Sequence, residues 1–343
     1  MNRIAITMGD PAGIGPEIIL KLYHRHHIYK KGFPVVIGDA AVLEYYKNLY
    51  LYNDLTVHPF CEWKDIEEYS CSDVQEKEII VWDKRIVNIR DMVPGQVNAE
   101  CGQAAYQYIE DGINLALEGK VSANVTAPIC KQSLHEAGYN YPGHTEIYAE
   151  KTRTERYMMA LFTSDLKVAH LTCHMALKDI FDYITPDRIR WGCELLWKTM
   201  RDMGIKNPKI GVCALNPHAS ENGMFGKEEK EIIIPVIQEL QQKKMAVYGP
   251  VPADTIFARA KYGKYDIILA LYHDQGHIAV KTLHFKKTKE YFAFSGVNVT
   301  LGLPIIRTSV DHGTAFDIVG KNCASEQSLH EAYQFALNMI PEI

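Results

Sequence analysis

The sequence predicts a mainly parallel, doubly wound α/β architecture, and three observations carry that expectation. Short apolar runs alternate with helical patterns over most of the chain, which is the signature of βαβ units. The runs are close to continuous in Val, Ile, Leu and Ala, as strands buried on both faces require. The length, 343 residues, exceeds what a single core comfortably serves, so two lobes are expected.

Taken in order, a strand over 4–8 runs into Gly9-Asp10-Pro11-Ala12-Gly13-Ile14-Gly15-Pro16-Glu17. Its glycines permit tight turns, and Pro16 suits the first turn of a helix over 16–23. Strands follow over 34–37 and 79–82, then a helix over 102–118 and a strand over 123–126. In Tyr141-Pro142-Gly143-His144-Thr145-Glu146, Thr145 fits an N-cap for a helix over 145–151. Strands over 158–162 and 167–173, a helix over 187–203 and a strand from 209 come next. A helix over 228–243, a strand over 265–272 and a final helix over 325–339 complete the series. No Pro/Gly/Ser-rich linker marks a single boundary, so the chain is expected to cross between lobes more than once.

Composition narrows the class. Apolar residues at 47% and charged residues at 23% are ordinary for a folded soluble protein. With a net charge of −5 and no long basic block, nothing suggests nucleic acid. The short run Lys286-Lys287-Thr288-Lys289 reads as a solvated loop. No apolar stretch approaches the roughly 18–20 residues of a membrane span. The N-terminus enters a strand directly instead of a signal peptide. Eight cysteines without a CxxC pair fit a reduced, cytoplasmic protein.

Three apolar runs end in a histidine: the run from Lys167 leads to His174, that from Lys209 to His218, and that from Tyr265 to His273. In open α/β sheets the carboxyl ends of strands face the ligand crevice. Three imidazoles there would make a divalent-metal site, zinc leading, with a position left for substrate. Taken singly, each is as readily a surface or core histidine. His144 and the helix start beside it could take a carboxylate or phosphate. Lys281, Asn298 and Arg307 supply two cations and an amide, a set suited to a phosphorylated acid. The first glycine loop lacks the G-x-G-x-x-G spacing of a dinucleotide fingerprint, and a plain turn accounts for it equally well.

In this order the strings ITMGDPAGIGPE, TAPICK, YPGHTE, LNPHASE, PADT, YHDQGH and GVNVTLGLPIIRTSVDHGTAFDIVGK resemble the 4-hydroxythreonine-4-phosphate dehydrogenase family of vitamin B6 synthesis, over nearly the whole length. Two of them are similar to stretches of the β-decarboxylating dehydrogenases of isocitrate and isopropylmalate. The resemblance implies two α/β/α lobes, approximately 1–125 with 305–343 and 126–304, with the active site in the cleft between them. It implies His174, His218 and His273 as ligands of zinc (magnesium or cobalt as alternatives), in a homodimer whose interface holds the active site. It implies substrate contacts from His144, Thr145, Lys281, Asn298 and Arg307, and acidic groups Asp254 and Asp274 nearby. His312, Gly313, Thr314 and Asp317 fall in the loop that contacts NAD or NADP.

The implied reaction is metal-dependent, NAD(P)-linked oxidation and decarboxylation of a 4-phosphorylated 3-hydroxy acid, with Lys281 transferring a proton aided by Asp274 and Asp254. Two departures bear on the substrate. Residues 286–294 look like an insertion. His277 resembles a sister subgroup acting on 4-phospho-D-threonate or 4-phospho-D-erythronate, which would yield dihydroxyacetone phosphate. A metal-dependent hydrolase is the second enzyme class, because a three-histidine site with an open position also activates water. A non-catalytic metal- or phosphate-binding protein is the third.

Overall fold

The structure, a computed structural model, describes residues 1–70, 72–287, 292–294 and 296–341. It divides into two compact units, Met1–Glu155 with Leu303–Leu337 and Arg156–Gly302 with the C-terminal residues from Asn338. The chain first leaves unit 1 after residue 155 instead of 125. The reason lies in the helices between those positions, which pack on the long helix of unit 1 (below).

Unit 1 opens with β1 (Arg3–Thr7), α1 (Gly15–Arg25), β2 (Phe33–Gly38), α2 (Ala40–Tyr50), β3 (Thr56–Phe60), α3 (Trp63–Glu68) and β4 (Glu78–Asp83). The long helix α4 (Ala99–Leu117) starts where Asn98 caps it, the side chain accepting from Cys101 N at 3.1 Å. After β5 (Ala123–Thr126), α5 (Lys131–Glu136) and α6 (His144–Lys151) both pack on α4. Tyr106, Ile109 and Ile113 of α4 share one buried cluster with Leu134, Ile147 and Tyr148. Helix α6 begins one residue before the position expected. Gly143 is its N-cap, without a side-chain hydrogen bond, and Thr145 lies inside the first turn.

Unit 2 holds β6 (Met158–Phe162), β7 (Lys167–His170), α7 (Pro186–Asp202), β8 (Lys209–Cys213), α8 (Ile234–Gln242), β9 (Ala246–Val251), α9 (Ala253–Lys261), β10 (Ile267–Ala270) and α10 (His273–His284). The helix expected over 228–243 is interrupted, opening as a π-helical turn over Glu229–Ile233. Pro235 cannot donate a backbone hydrogen bond, and its ring crowds the carbonyl four residues back, which a wide turn relieves. The 286–294 insertion falls on β11 (Phe285–Lys287) and β12 (Phe292–Phe294), an antiparallel pair; its tip lies outside the described residues. Then β13 (Val297–Leu301) closes the unit.

The chain returns to unit 1 with β14 (Arg307–Val310) and α11 (Gln327–Met339). Unit 1 strands stand in the order β3-β4-β2-β1-β5-β14, all parallel. Those of unit 2 stand in the order β13-β6-β7-β10-β8-β9. There β6 runs antiparallel to both neighbours, and the rest are parallel. The adjacency of β7, β10 and β8 matters most for function. The three runs that end in histidines are neighbours, and their carboxyl ends share one edge of the sheet. Among the described residues no helix is long and apolar enough to cross a membrane. The seven described cysteines are all unpaired.

Candidate active site

At that edge the structure brings His174 and His273 together, with ring centroids 5.6 Å apart. On one tetrahedral zinc, with Zn–N bonds of about 2.0–2.1 Å, two imidazole centroids lie roughly 5 Å apart, so this pair fits a shared metal. Asp274 Oδ1 takes the His273 Nδ1–H at 2.7 Å. That leaves His273 Nε2 as the ligating nitrogen, the usual carboxylate–histidine arrangement of metal sites. His218 is not brought to the pair, and among the described residues no group of three His, Cys, Asp or Glu side chains is arranged to hold a metal. It sits exposed on a turn, 218–222, whose five residues all have positive φ, a conformation costly for non-glycine residues. The buried Glu229 carboxylate holds the entry to this turn, accepting from Leu215 N at 2.9 Å and Asn216 N at 2.7 Å.

Behind the pair lies a buried wall that motif reading did not find. His170, the last residue of β7, is 1% exposed. Its Nδ1 donates to Met159 O at 3.2 Å, and its Nε2 meets His277 Nδ1 at 3.0 Å. The His277 ring stacks on His273, centroids 3.8 Å apart and planes within 11°. Burial holds His170 well below the usual histidine range, with His277 adding to it. Burial, then His273 and Lys281, brings His277 down to about 4. Asn298, on β13, donates to Met159 Sδ at 3.3 Å, while its Oδ1 is buried without a partner among the described residues. A histidine closing an otherwise apolar strand was the visible signal for His170; its pairing with His277 needed the strand order. Asp254 lies exposed in the first turn of α9, and no described contact joins it to the histidines.

Unit 1 carries a second set of groups. Arg307 is 2% exposed, donates to Thr126 Oγ1 at 2.9 Å and lies 5.5 Å from the Tyr148 ring centre. Burial lowers its guanidinium to about 10. His144 is held well below its ordinary range by burial and by the Arg307 charge, and its Nε2 has no partner among the described residues. With the unsatisfied N–H groups of the first turn of α6, including that of Thr145, these donors converge where an anion would be stabilised.

The first glycine loop and the 312–320 loop touch each other. Ile14 N donates to Thr314 O at 3.1 Å, and a Cβ on Gly13 would stand 3.0 Å from that of Thr314. Gly13 is therefore required for close packing of the two loops. His312 and Asp317 are exposed, and His312 Nδ1 donates to Gly313 O at 3.1 Å. The far side of the loop is pinned by buried groups: Gly320 N donates to Tyr50 Oη at 3.1 Å, and Tyr50 donates to Glu17 Oε2 at 3.0 Å.

The sequence profile described as pyridoxal phosphate biosynthetic protein PdxA matches residues 30–336. The chain belongs to that family. A relative from Oceanobacillus iheyensis, whose name assigns D-threonate 4-phosphate dehydrogenase activity provisionally, is 46% identical over 98% of this chain and 98% of its own. The D-threonate 4-phosphate dehydrogenase of Salmonella typhimurium is 42% identical over 98% of this chain and 99% of its own. Among solved structures, 4-hydroxythreonine-4-phosphate dehydrogenase from Klebsiella pneumoniae superposes with a TM-score of 0.86 at 39% identity, covering 99% of this PdxA-family chain and 98% of that one.

Proposed function

We propose that this PdxA-family protein is a metal-dependent, NAD(P)-linked dehydrogenase that oxidises and decarboxylates a 4-phosphorylated 3-hydroxy acid of the D-threonate 4-phosphate type. The observation that carries the reading is the coincidence of the His174–His273–Asp274 arrangement with full-length similarity to enzymes of that name. The amino analogue, 4-hydroxythreonine 4-phosphate, is the runner-up, favoured by the name of the solved structure.

When bound, the metal lowers the pKa of the substrate hydroxyl and polarises the carbonyl formed from it, while the nicotinamide takes the hydride. The chain's own groups do the rest. His174 and His273 hold the metal, and Asp274 fixes the His273 tautomer. Arg307 and His144 bind the substrate's anionic groups, and Asn298 Oδ1 accepts from a substrate donor. Lys281 takes the hydroxyl proton and returns one to carbon as CO₂ leaves. The 312–317 loop, with His312, Gly313, Thr314 and Asp317, receives the dinucleotide.

A third metal ligand, His218, is proposed to come from the second copy of a homodimer. Large apolar side chains exposed within a few residues of each histidine support this: Leu177 and Phe181 beyond His174, Met224 and Phe225 beyond His218, and Ile278 beyond His273.

The test follows reduced nicotinamide absorbance with zinc or magnesium, NAD⁺ or NADP⁺, and each phosphorylated acid in turn. Turnover of D-threonate 4-phosphate supports the reading. Turnover of the amino acid alone assigns the protein to the runner-up, and silence in every combination overturns the proposed activity.

A further inference from the structure

We infer that His277, held in one tautomer by His170, contacts the substrate at C2 and selects a 2-hydroxy acid over a 2-amino acid. The inference rests on the proposed function and deepens it.

Direction along the imidazole chain follows from its buried end. Met159 O can only accept, so His170 Nδ1 carries the proton. His170 is buried, with no carboxylate among the groups it faces, and a buried imidazole without a counter-charge stays neutral. Its Nε2 is then a lone pair, which requires His277 Nδ1–H as the donor across the 3.0 Å contact. His277, neutral in turn, is left with Nε2 as an acceptor.

Placement follows from the helix. His273, His277 and Lys281 recur every four residues along α10, which sets them on one face, about 6 Å apart per step. Helical side chains lean toward the N-terminus, so the Lys281 ammonium reaches back over the His277 turn, and its charge acts on His277. A substrate held by a metal at His273 and by Lys281 therefore passes the His277 ring. The neighbouring carboxylate, Asp274, is already engaged by His273 Nδ1 and stands 71% exposed. A neutral acceptor beside Lys281 suits a hydroxyl. A substrate ammonium there would bring a second cation to a wall that offers it no free carboxylate.

The test compares wild type, His277→Leu, His277→Gln and His170→Leu. For each, kcat/KM is measured for D-threonate 4-phosphate and 4-hydroxythreonine 4-phosphate, alongside dissociation constants for both compounds and for zinc. In His277→Leu the hydroxy-over-amino preference is expected to fall roughly tenfold, the loss of one hydrogen bond, with zinc affinity retained. His277→Gln, whose amide can still accept, should recover most of the preference, and His170→Leu should lower it. An equal loss on both compounds, an unchanged preference, or a loss of zinc in His277→Leu overturns the inference. If wild type turns over neither compound, the proposed function fails while the dissociation constants still decide the role of His277.

Discussion

Ala324 donates its backbone N–H to Glu17 Oε1 at 2.8 Å, and its carbonyl accepts from Lys21 Nζ at 2.7 Å. The two side chains are themselves paired at 2.7 Å and almost fully buried. One ion pair on α1 thus clips the segment leading from the 312–320 loop into α11. Removing one partner leaves a buried charge uncompensated. Lys21→Met is expected to cost about 3–5 kcal/mol in urea unfolding. Adding Glu17→Gln should recover part of that, because glutamine is neutral and can still accept from Ala324.

Tyr50 tests what the clip is for. Its hydroxyl connects Glu17 to Gly320 N, and phenylalanine would keep the ring against Tyr46. Tyr50→Phe is expected to raise the KM for the dinucleotide severalfold while leaving kcat and the substrate KM nearly unchanged. A variant that loses melting temperature alone would make the contact purely structural.

How far the sequence could be read follows from which interactions are local. The β1 strand and the glycine turn after it were legible because a buried strand and a helix start each have short-range signatures. The three histidine runs were legible for the same reason. That β10 stands between β7 and β8 was not, since pairing depends on partners about 40 to 100 residues apart. His170 escaped because its significance lies in His277, 107 positions away. Thr145 was misplaced by one residue because Gly143, which lacks a capping side chain, holds the cap position. His218 was rightly placed at a strand end, yet its φ of +53° is set by the turn that Glu229 anchors.

If Asp274 orients His273, then Asp274→Asn should weaken zinc binding about 10- to 100-fold, the usual effect of losing such a partner. Competition with a chelator measures it without substrate or dinucleotide. An unchanged zinc affinity would show that His273 does not ligate through the nitrogen left free by Asp274.

Asp10 gives a pH dependence whose sign is fixed by its surroundings. The carboxyl is fully buried, accepts from Ala12 N at 2.9 Å, and is pushed up to about 6 by burial, against the lowering effect of bonds from Ser133, Ala12 and Cys130. Tyr46 from α2 and Cys101 from α4 also face it, and neither supplies a positive charge. An unfolded aspartate titrates near 3.9. Below that value both states are protonated and no penalty exists. As pH rises toward 6 the unfolded chain sheds its proton first, so stability falls, and above 6 the deficit is constant at about 2–3 kcal/mol. Asparagine can still accept from Ala12 N but never ionises. Asp10→Asn should therefore gain on wild type progressively between pH 4 and 6 and hold that gain at pH 8, read from urea unfolding at each pH. A gain that does not vary with pH would mean that packing, and not the buried charge, separates the two proteins.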